Sequence, residues 1–270
     1  MNRRDLKRLD ARAISIEEPL DLAPYQRPMQ PIPERVEQAI ARGVTALPAG
    51  ADPRPAALFR PGGDGMVDGA YRLADGRLFV ACLTDMPGVD PLMWDWWFGW
   101  HLISSARYRL WHPLEHVAAR LADPAPEGAP LRSRYIGKVS FVDEHIGPSP
   151  VQKLGIAFQP PSAFGLDQAD VDAVGTAICA RTWLSEPGIG AGRLVHLVRK
   201  TNNGSEMLSR FSLGDVDTGN LFLNLLANTA PPRRRRLPDN AGLYLLRHCA
   251  SEMGHLARIL PELYGRFGSE

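Results

Sequence analysis

This chain has little of what staples or anchors a protein. Its 270 residues include three cysteines, Cys82, Cys179 and Cys249, scattered and without a CxxC pair. That argues against a disulfide framework and makes the cytoplasm the expected compartment. No apolar run approaches the roughly 18 residues of a membrane span. The opening MNRRDLKRLDARAISIEEPL carries basic residues but no apolar core, unlike a secretory signal. Neither sign of charge is in excess, with 31 Lys and Arg against 30 Asp and Glu, so the basic face of a dedicated nucleic-acid binder is missing. GxSxG, the P-loop and GxGxxG are missing too. GIGAG at 188–192 lacks the final spaced glycine and precedes a strand pattern, so it reads as a loop. There is no internal repeat or low-complexity segment.

What is present is a globular chain, 44% hydrophobic and 23% charged, long enough for one large domain or a compact pair. Residues 1–75 are rich in proline and glycine and hold one good helix, from about Pro33 to Arg42, capped by Gly43. This stretch is read as an irregular N-terminal region that wraps over the rest or contributes to a subunit contact. GRLFVACLTDM reads as a strand ending near Asp85. A helix follows, with Asp90 as N-cap and Pro91 in its first turn. Met93, Trp96, Trp97 and Trp100 share one broad face of it, either as core or as the wall of a ligand cavity.

Beyond Leu131, segments such as RYIGKVSFVDEHIG, KLGIAFQPPSAFG and AGRLVHLVRKTNNGSEMLSRFSLG alternate as strands do, and NNG supplies a hairpin turn. DQADVDAVGTAICARTW carries a shorter helix after its Asp. The run Arg233–Arg236 reads as a solvated loop, with an anion or membrane contact as the alternative. A long amphipathic helix closes the chain from about Asp239 to Gly265, tolerating or kinked at Pro261. The fold class is therefore α+β, an antiparallel sheet curled around a C-terminal helix with a cavity between them.

Within that last helix His248, Glu252 and His255 fall inside an arc of about 60° at 100° per residue. Tyr244 and Ile259 share the arc. Unpaired polar groups beside an apolar face are costly, so a partner inside is expected. His and Glu one turn apart can both reach a metal, and imidazole with carboxylate suits zinc. ExxH from Glu252 to His255 also occurs in di-iron bundles, but no second such helix pair exists here. Other candidates are His112 and His116 in YRLWHPLEH, Glu144 and His145 on opposite faces of a strand, and His196 in mid-strand.

DMPGVDPLMWDWWFGWH at 85–101, RYRLWHPLEH at 107–116 and the terminal HxxxE resemble, in that order, the 2,4-diacetylphloroglucinol hydrolase and phloretin hydrolase family. The resemblance spans roughly residues 75–260. It implies a Bet v 1-like helix-grip catalytic domain at 76–270, with residues 1–75 associated with dimerisation. It also implies zinc-dependent hydrolysis of the carbon–carbon bond between an acyl group and a phenolic ring. The implied zinc ligands are His116, Glu144, His248 and Glu252. His116 is favoured over His112 because Tyr108 precedes it at the family's spacing, and His145 is the substitute for Glu144. His196 and Tyr108 are the implied catalytic residues, and Tyr108, Trp97 and Phe211 the implied substrate contacts. Phe211 and Ala119 stand where the antibiotic hydrolase has a second Tyr and an Asn. Both changes remove hydrogen-bonding groups and point away from that antibiotic as the substrate.

The expected partner is a small phenolic ketone, with no nucleic acid or membrane partner, and the expected assembly is a homodimer. Two other functions are open on the sequence. One is a non-catalytic carrier holding an apolar ligand against Trp96, Trp97 and Phe211. The other is a zinc hydrolase of esters or amides. His255 is read as packing or support beside the metal ligands.

Overall fold

In the computed structural model, which describes residues 3–148, 150–186 and 188–269, the alternating segments form one antiparallel sheet of eight strands. These are β1 (Gly69–Arg72), β2 (Leu78–Pro87), β3 (His116–Ala122), β4 (Val139–Glu144), β5 (Gln152–Gln159), β6 (Gly175–Leu184), β7 (Ile189–Thr201) and β8 (Gly204–Leu213). Their spatial order is β1-β2-β8-β7-β6-β5-β4-β3. Helices α1 (Arg3–Asp10) and α2 (Glu34–Arg42) precede the sheet. Helices α3 (Pro91–Trp100) and α4 (Ser105–Trp111) join β2 to β3, and α5 (Gln168–Val174) precedes β6. After β8 come α6 (Leu221–Ala227), α7 (Ala230–Arg236) and the 29-residue α8 (Asp239–Phe267).

Asp90 caps α3 by accepting from Leu92 N at 2.9 Å. Seven of the ten α3 residues are buried: Pro91, Trp94, Asp95, Trp96, Trp97, Phe98 and Trp100. Only Leu92 near its start is exposed, so α3 has little solvent face and serves as core between the sheet and α8. Trp96 stacks on Trp100 at 4.9 Å between centroids and meets Tyr264 of α8 edge-on at 5.5 Å. Helix α8 runs unbroken through Pro261. Its buried side chains, from Leu246 and Cys249 to Met253, Leu256 and Leu260, join the core shared with Val80 and Cys82 of β2.

The N-terminal residues lie against this body. Val36 and Ala39 of α2 enter the main core, and Leu6 of α1 covers Phe141 and Trp183 on the outer sheet face. Strand β1 begins at Gly69 and already belongs to the sheet, inside the stretch read from sequence as the N-terminal region. Two other expectations give way. Arg233–Arg236 is helical, and buried Arg233 donates to Asp215 at 2.8 Å and to the carbonyl oxygen of Gly214 at 3.1 Å. GIGAG contributes the start of β7, because Gly190 and Gly192 pair with Trp183 and Thr182 on β6.

One buried carboxylate fastens α3 to the sheet. Asp95 Oδ1 accepts from Tyr135 and from Thr176 of β6, both at 2.7 Å, and Oδ2 accepts from Arg132 Nε at 2.9 Å. Asp95→Ala strands those donors and is expected to cost roughly 3–5 kcal/mol in urea unfolding. A loss below about 1 kcal/mol, the range of exposed ion pairs, would contradict this role.

Candidate active site

The sheet curls around α8 and leaves a cavity of about 500 Å³ between them. One end is polar, with Tyr108, Glu144, His248 and Glu252. The rest is walled by residues such as Val142, Leu154, Ile156, Leu194, Phe211 and Leu245. The inward positions follow from the period-two alternation of β4, β5, β7 and β8.

The polar end is assembled by three pieces of chain. His116 opens β3 directly opposite Glu144, the last residue of β4. A bulge at Val117 shifts the register between His116 and Ala118, the kind of irregularity that re-aims a side chain beside a site. Helix α8 brings His248 and Glu252 one turn apart. Tyr108 of α4 stacks on the His116 ring at 3.9 Å between centroids and an interplanar angle of 2°. The backbone carbonyl of Tyr108 lies 3.1 Å from His116 Nδ1. That contact makes Nδ1 the protonated nitrogen and leaves Nε2 with a free lone pair.

Around that lone pair the donors converge. His116 Nε2 lies 3.4 Å from Glu252 Oε2 and 3.8 Å from Glu144 Oε2. His248 Nε2 lies 3.7 Å and 4.0 Å from the same two oxygens. His116 Nε2 is buried and has no hydrogen-bond partner among the described residues. Ligand atoms of His116, His248 and Glu252 all lie within 4.8 Å of one another, as metal ligands must. A second trio, His112, Glu115 and His248, meets the same distance, but there Glu115 Oε2 sits 2.5 Å from His248 Nδ1. A carboxylate on Nδ1 fixes the tautomer and turns Nε2 toward the first group, as outer partners of metal-bound histidines do.

Burial and neighbouring charge set the protonation of this end. Burial and the nearby His248 push His116 down to about 3. Burial disfavours a charged His248, yet Glu252, Glu115 and Glu144 overcome it and push His248 up to about 9. Burial pushes Glu252 up to about 7 against the pull of His248. Burial and Glu144 push Tyr108 well above its ordinary value, so its hydroxyl stays protonated and donates to Glu144 Oε2 at 2.5 Å.

His196 and Phe211 both line the cavity, their rings edge-on at 5.5 Å. His196 Nδ1 is 2.8 Å from Ser209 Oγ, and burial alone pushes its pKa down to about 3. Trp97 does not line the cavity. It is fully buried, stacked on His101 at 4.7 Å, and Phe98 and Trp111 form the wall instead. Trp96 likewise belongs to the core, and Ala119 is buried behind the lining. His145 stands outside the cluster, its backbone N–H donating to Glu115 O at 2.9 Å. His255 lies on the same face of α8 one turn beyond Glu252, outside the cavity and buried beside Leu22, Arg27 and Arg109.

Sequence reasoning missed Glu115, His101 and Ser209. Glu115 carried a signal, since it precedes His116 and follows His112 by three residues. Ser209 had none, because its pairing with His196 across β7 and β8 depends on register.

The family model of the DAPG hydrolase PhiG domain matches residues 54–265. The chain belongs to this family. It is 32% identical over 202 residues to the phloretin hydrolase of Eubacterium ramulus, covering 71% of this chain and 69% of that one. It is 29% identical over 223 residues to the 2,4-diacetylphloroglucinol hydrolase of Pseudomonas protegens, covering 75% and 69%. Solved structures align weakly. The KanY protein gives a TM-score of 0.31 at 11% identity, covering 65% of this chain and 98% of that one, and a Nitrosomonas europaea protein gives 0.34 at 12%, covering 73% and 99%. Neither fixes a fold family. Family membership makes the chain a hydrolase acting on carbon–carbon bonds in ketonic substances, which removes the non-catalytic carrier.

Glu252 holds its proton more tightly folded than unfolded, so its contribution to stability is complete below about pH 4.5 and is lost as pH rises toward 7. In chelator, the wild type is expected to lose ~3 kcal/mol across that window relative to Glu252→Gln, read by urea melts. Identical pH slopes for the two proteins would contradict the burial of this carboxyl.

Proposed function

We propose that this hydrolase uses a zinc ion held by His116, Glu144, His248 and Glu252 to cleave the bond between an acyl carbon and a phloroglucinol-like ring. The observation that carries the reading is the buried, partnerless His116 Nε2 with two carboxylates and a second imidazole turned toward it. Nitrogen and oxygen donors in this number suit zinc. Bound there, zinc would supply polarisation of a ketone oxygen and acidification of water.

The chain's own groups supply the rest. Hydrolysis of an aryl ketone adds water to the acyl carbon, returns a proton to the ring carbon and releases a carboxylic acid and the arene. Tyr108 keeps its proton, and on substrate binding its hydroxyl would turn from Glu144 to donate to a carbonyl or phenol oxygen at the polar end. Ser209 occupies His196 Nδ1 and leaves Nε2 for the cavity. A pKa pushed down to about 3 keeps that ring neutral and a weak base, so it takes up a proton only as water adds to the acyl carbon. The imidazolium it becomes is then a strong enough acid to protonate carbon. Phe211 and the aliphatic walls hold the ring and its acyl chain away from water.

The names of the relatives supply the substrate class, since phloretin and diacetylphloroglucinol are both acylated phloroglucinols. The strand order, the two helices between β2 and β3 and the long final helix support a Bet v 1-like helix-grip. We assign residues 1–75 to the contact of a homodimer, where Ile14 and Ile16 are exposed. We place the protein in the cytoplasm, in keeping with three free, buried cysteines. No helix of the described residues is long and apolar enough to cross a membrane.

The test is product analysis with phloretin, 2,4-diacetylphloroglucinol and phenyl acetate. Release of phloroglucinol or a mono-acylated ring is expected, with the ester untouched or slow. His196→Gln is expected to lower turnover at least ~100-fold at unchanged metal content. Normal turnover by that variant would remove His196 from proton transfer, and ester cleavage alone would overturn the substrate class. Glu115→Gln is expected to weaken zinc affinity about 10–100-fold by competition with a chromogenic chelator. Unchanged affinity would mean Glu115 does not orient His248.

A further inference from the structure

Helix α6, with the sequence LFLNLLA, is built inside out. At 100° per residue, Asn220, Asn224 and Asn228 form one narrow stripe, while Leu221, Phe222, Leu223, Leu225 and Leu226 fan over the opposite arc of about 200°. The asparagine stripe faces the protein. Asn224 Oδ1 accepts from Thr218 N at 2.8 Å, and its Nδ2 donates to Asp217 at 3.1 Å. Asn228 Oδ1 accepts from Val216 N at 2.9 Å, and its Nδ2 returns a bond to Val216 O at 2.8 Å. Asn220 caps the helix through Leu223 N. These bonds to the 216–218 segment fix the rotation of the helix, so its apolar arc is held outward. Leu221, Phe222, Leu223, Leu225 and Leu226 are 76, 68, 51, 64 and 55% exposed.

Helix α7 follows after two residues and adds charge. Arg233 is buried on Asp215 and Asp75. Arg234, Arg235 and Arg236 are exposed, and none of the three has a carboxylate partner among the described residues, although Arg236 Nη2 donates to the Ala227 carbonyl oxygen at 2.6 Å. In a chain with 31 basic and 30 acidic residues, this is a local concentration of free positive charge. Leu237 and Pro238, which come next, line the cavity. The apolar arc, the free arginines and the rim of the cavity are thus contiguous.

We propose that α6 and α7 form a docking surface for an anionic lipid membrane, with the leucines and Phe222 entering the headgroup boundary and Arg234–Arg236 pairing with lipid phosphates. The combination of an outward apolar arc with unpaired basic residues is the chemistry of interfacial helices. A second copy of the chain fits less well, because an isologous contact across so short a helix would bring the two sets of free arginines together. A groove on a protein partner would have to enclose a convex arc of about 200°, whereas a fluid interface conforms to it. The surface places the cavity rim at the membrane, a partner that the sequence-based expectation did not include.

The test is flotation of the full chain with phosphatidylcholine vesicles and with vesicles in which a third of the lipid is phosphatidylglycerol. Binding to the anionic vesicles alone is expected, falling as salt is raised. Arg234→Ala with Arg235→Ala is expected to lower the partition coefficient roughly thirtyfold. Phe222→Ser with Leu226→Ser is expected to lower it at least about tenfold. Circular dichroism and turnover of a soluble substrate should stay at wild-type values in both pairs. No flotation with anionic vesicles at low salt would overturn the proposal, as would flotation that both pairs leave unchanged. Light scattering that shows a dimer dissolved by the Phe222 and Leu226 changes, with no vesicle binding, would assign the surface to a second copy instead.

Discussion

The polar end of the cavity depends on one nitrogen lone pair. His116 Nε2 is buried, deprotonated and without a hydrogen-bond partner among the described residues, and carboxylate oxygens of Glu252 and Glu144 lie 3.4 and 3.8 Å from it. A lone pair facing carboxylate oxygens in a dry site is repulsive unless a proton or a cation lies between them. In the metal-free chain protons partly fill that role, with His248 pushed up to about 9 and Glu252 up to about 7. A divalent cation would displace those protons and satisfy every group at once. Metal binding should therefore release protons and strengthen with pH.

Much of the surrounding structure maintains this convergence. The bulge at Val117 keeps His116 opposite Glu144. Tyr108 supports the imidazole with its ring, its backbone carbonyl and, through Glu144, its hydroxyl. Glu115 turns His248. Behind them α3, largely buried and tied by Asp95 to β6 and Arg132, forms a rigid back for α4 and α8. Rigid support of this sort holds a site to the tolerance that chemistry needs. The remaining wall is mostly apolar, with His196 placed on it away from the metal-ligand cluster.

The sequence made some of this legible and concealed the rest for physical reasons. His248 and Glu252 could be read because helix periodicity alone places them together. Strands β4, β5, β7 and β8 could be read because alternation is local, whereas β6, buried over most of its length without clean alternation, reads in one piece with the short helix before it. Trp97 could not be placed, because a helix buried nearly all round has no amphipathic face to distinguish cavity wall from core. The bulge at Val117, the Ser209–His196 pair and the second carboxylate on His248 arise from register between distant segments. Arg233–Arg236 looked like a solvated loop because charge usually means solvent, yet Arg233 folds inward onto Asp215 while its neighbours stay out. Helix α6 inverts the ordinary rule, its polar stripe inward and its leucines outward, and no propensity argument anticipates that.

The most direct test of the central claim is elemental analysis of protein purified without chelator or added zinc, beside a His248→Ala, Glu252→Ala double variant. About one zinc per chain, absent from a variant that still folds, is the result this account predicts. A well-folded wild type that holds no metal and takes up none when zinc is offered would contradict it.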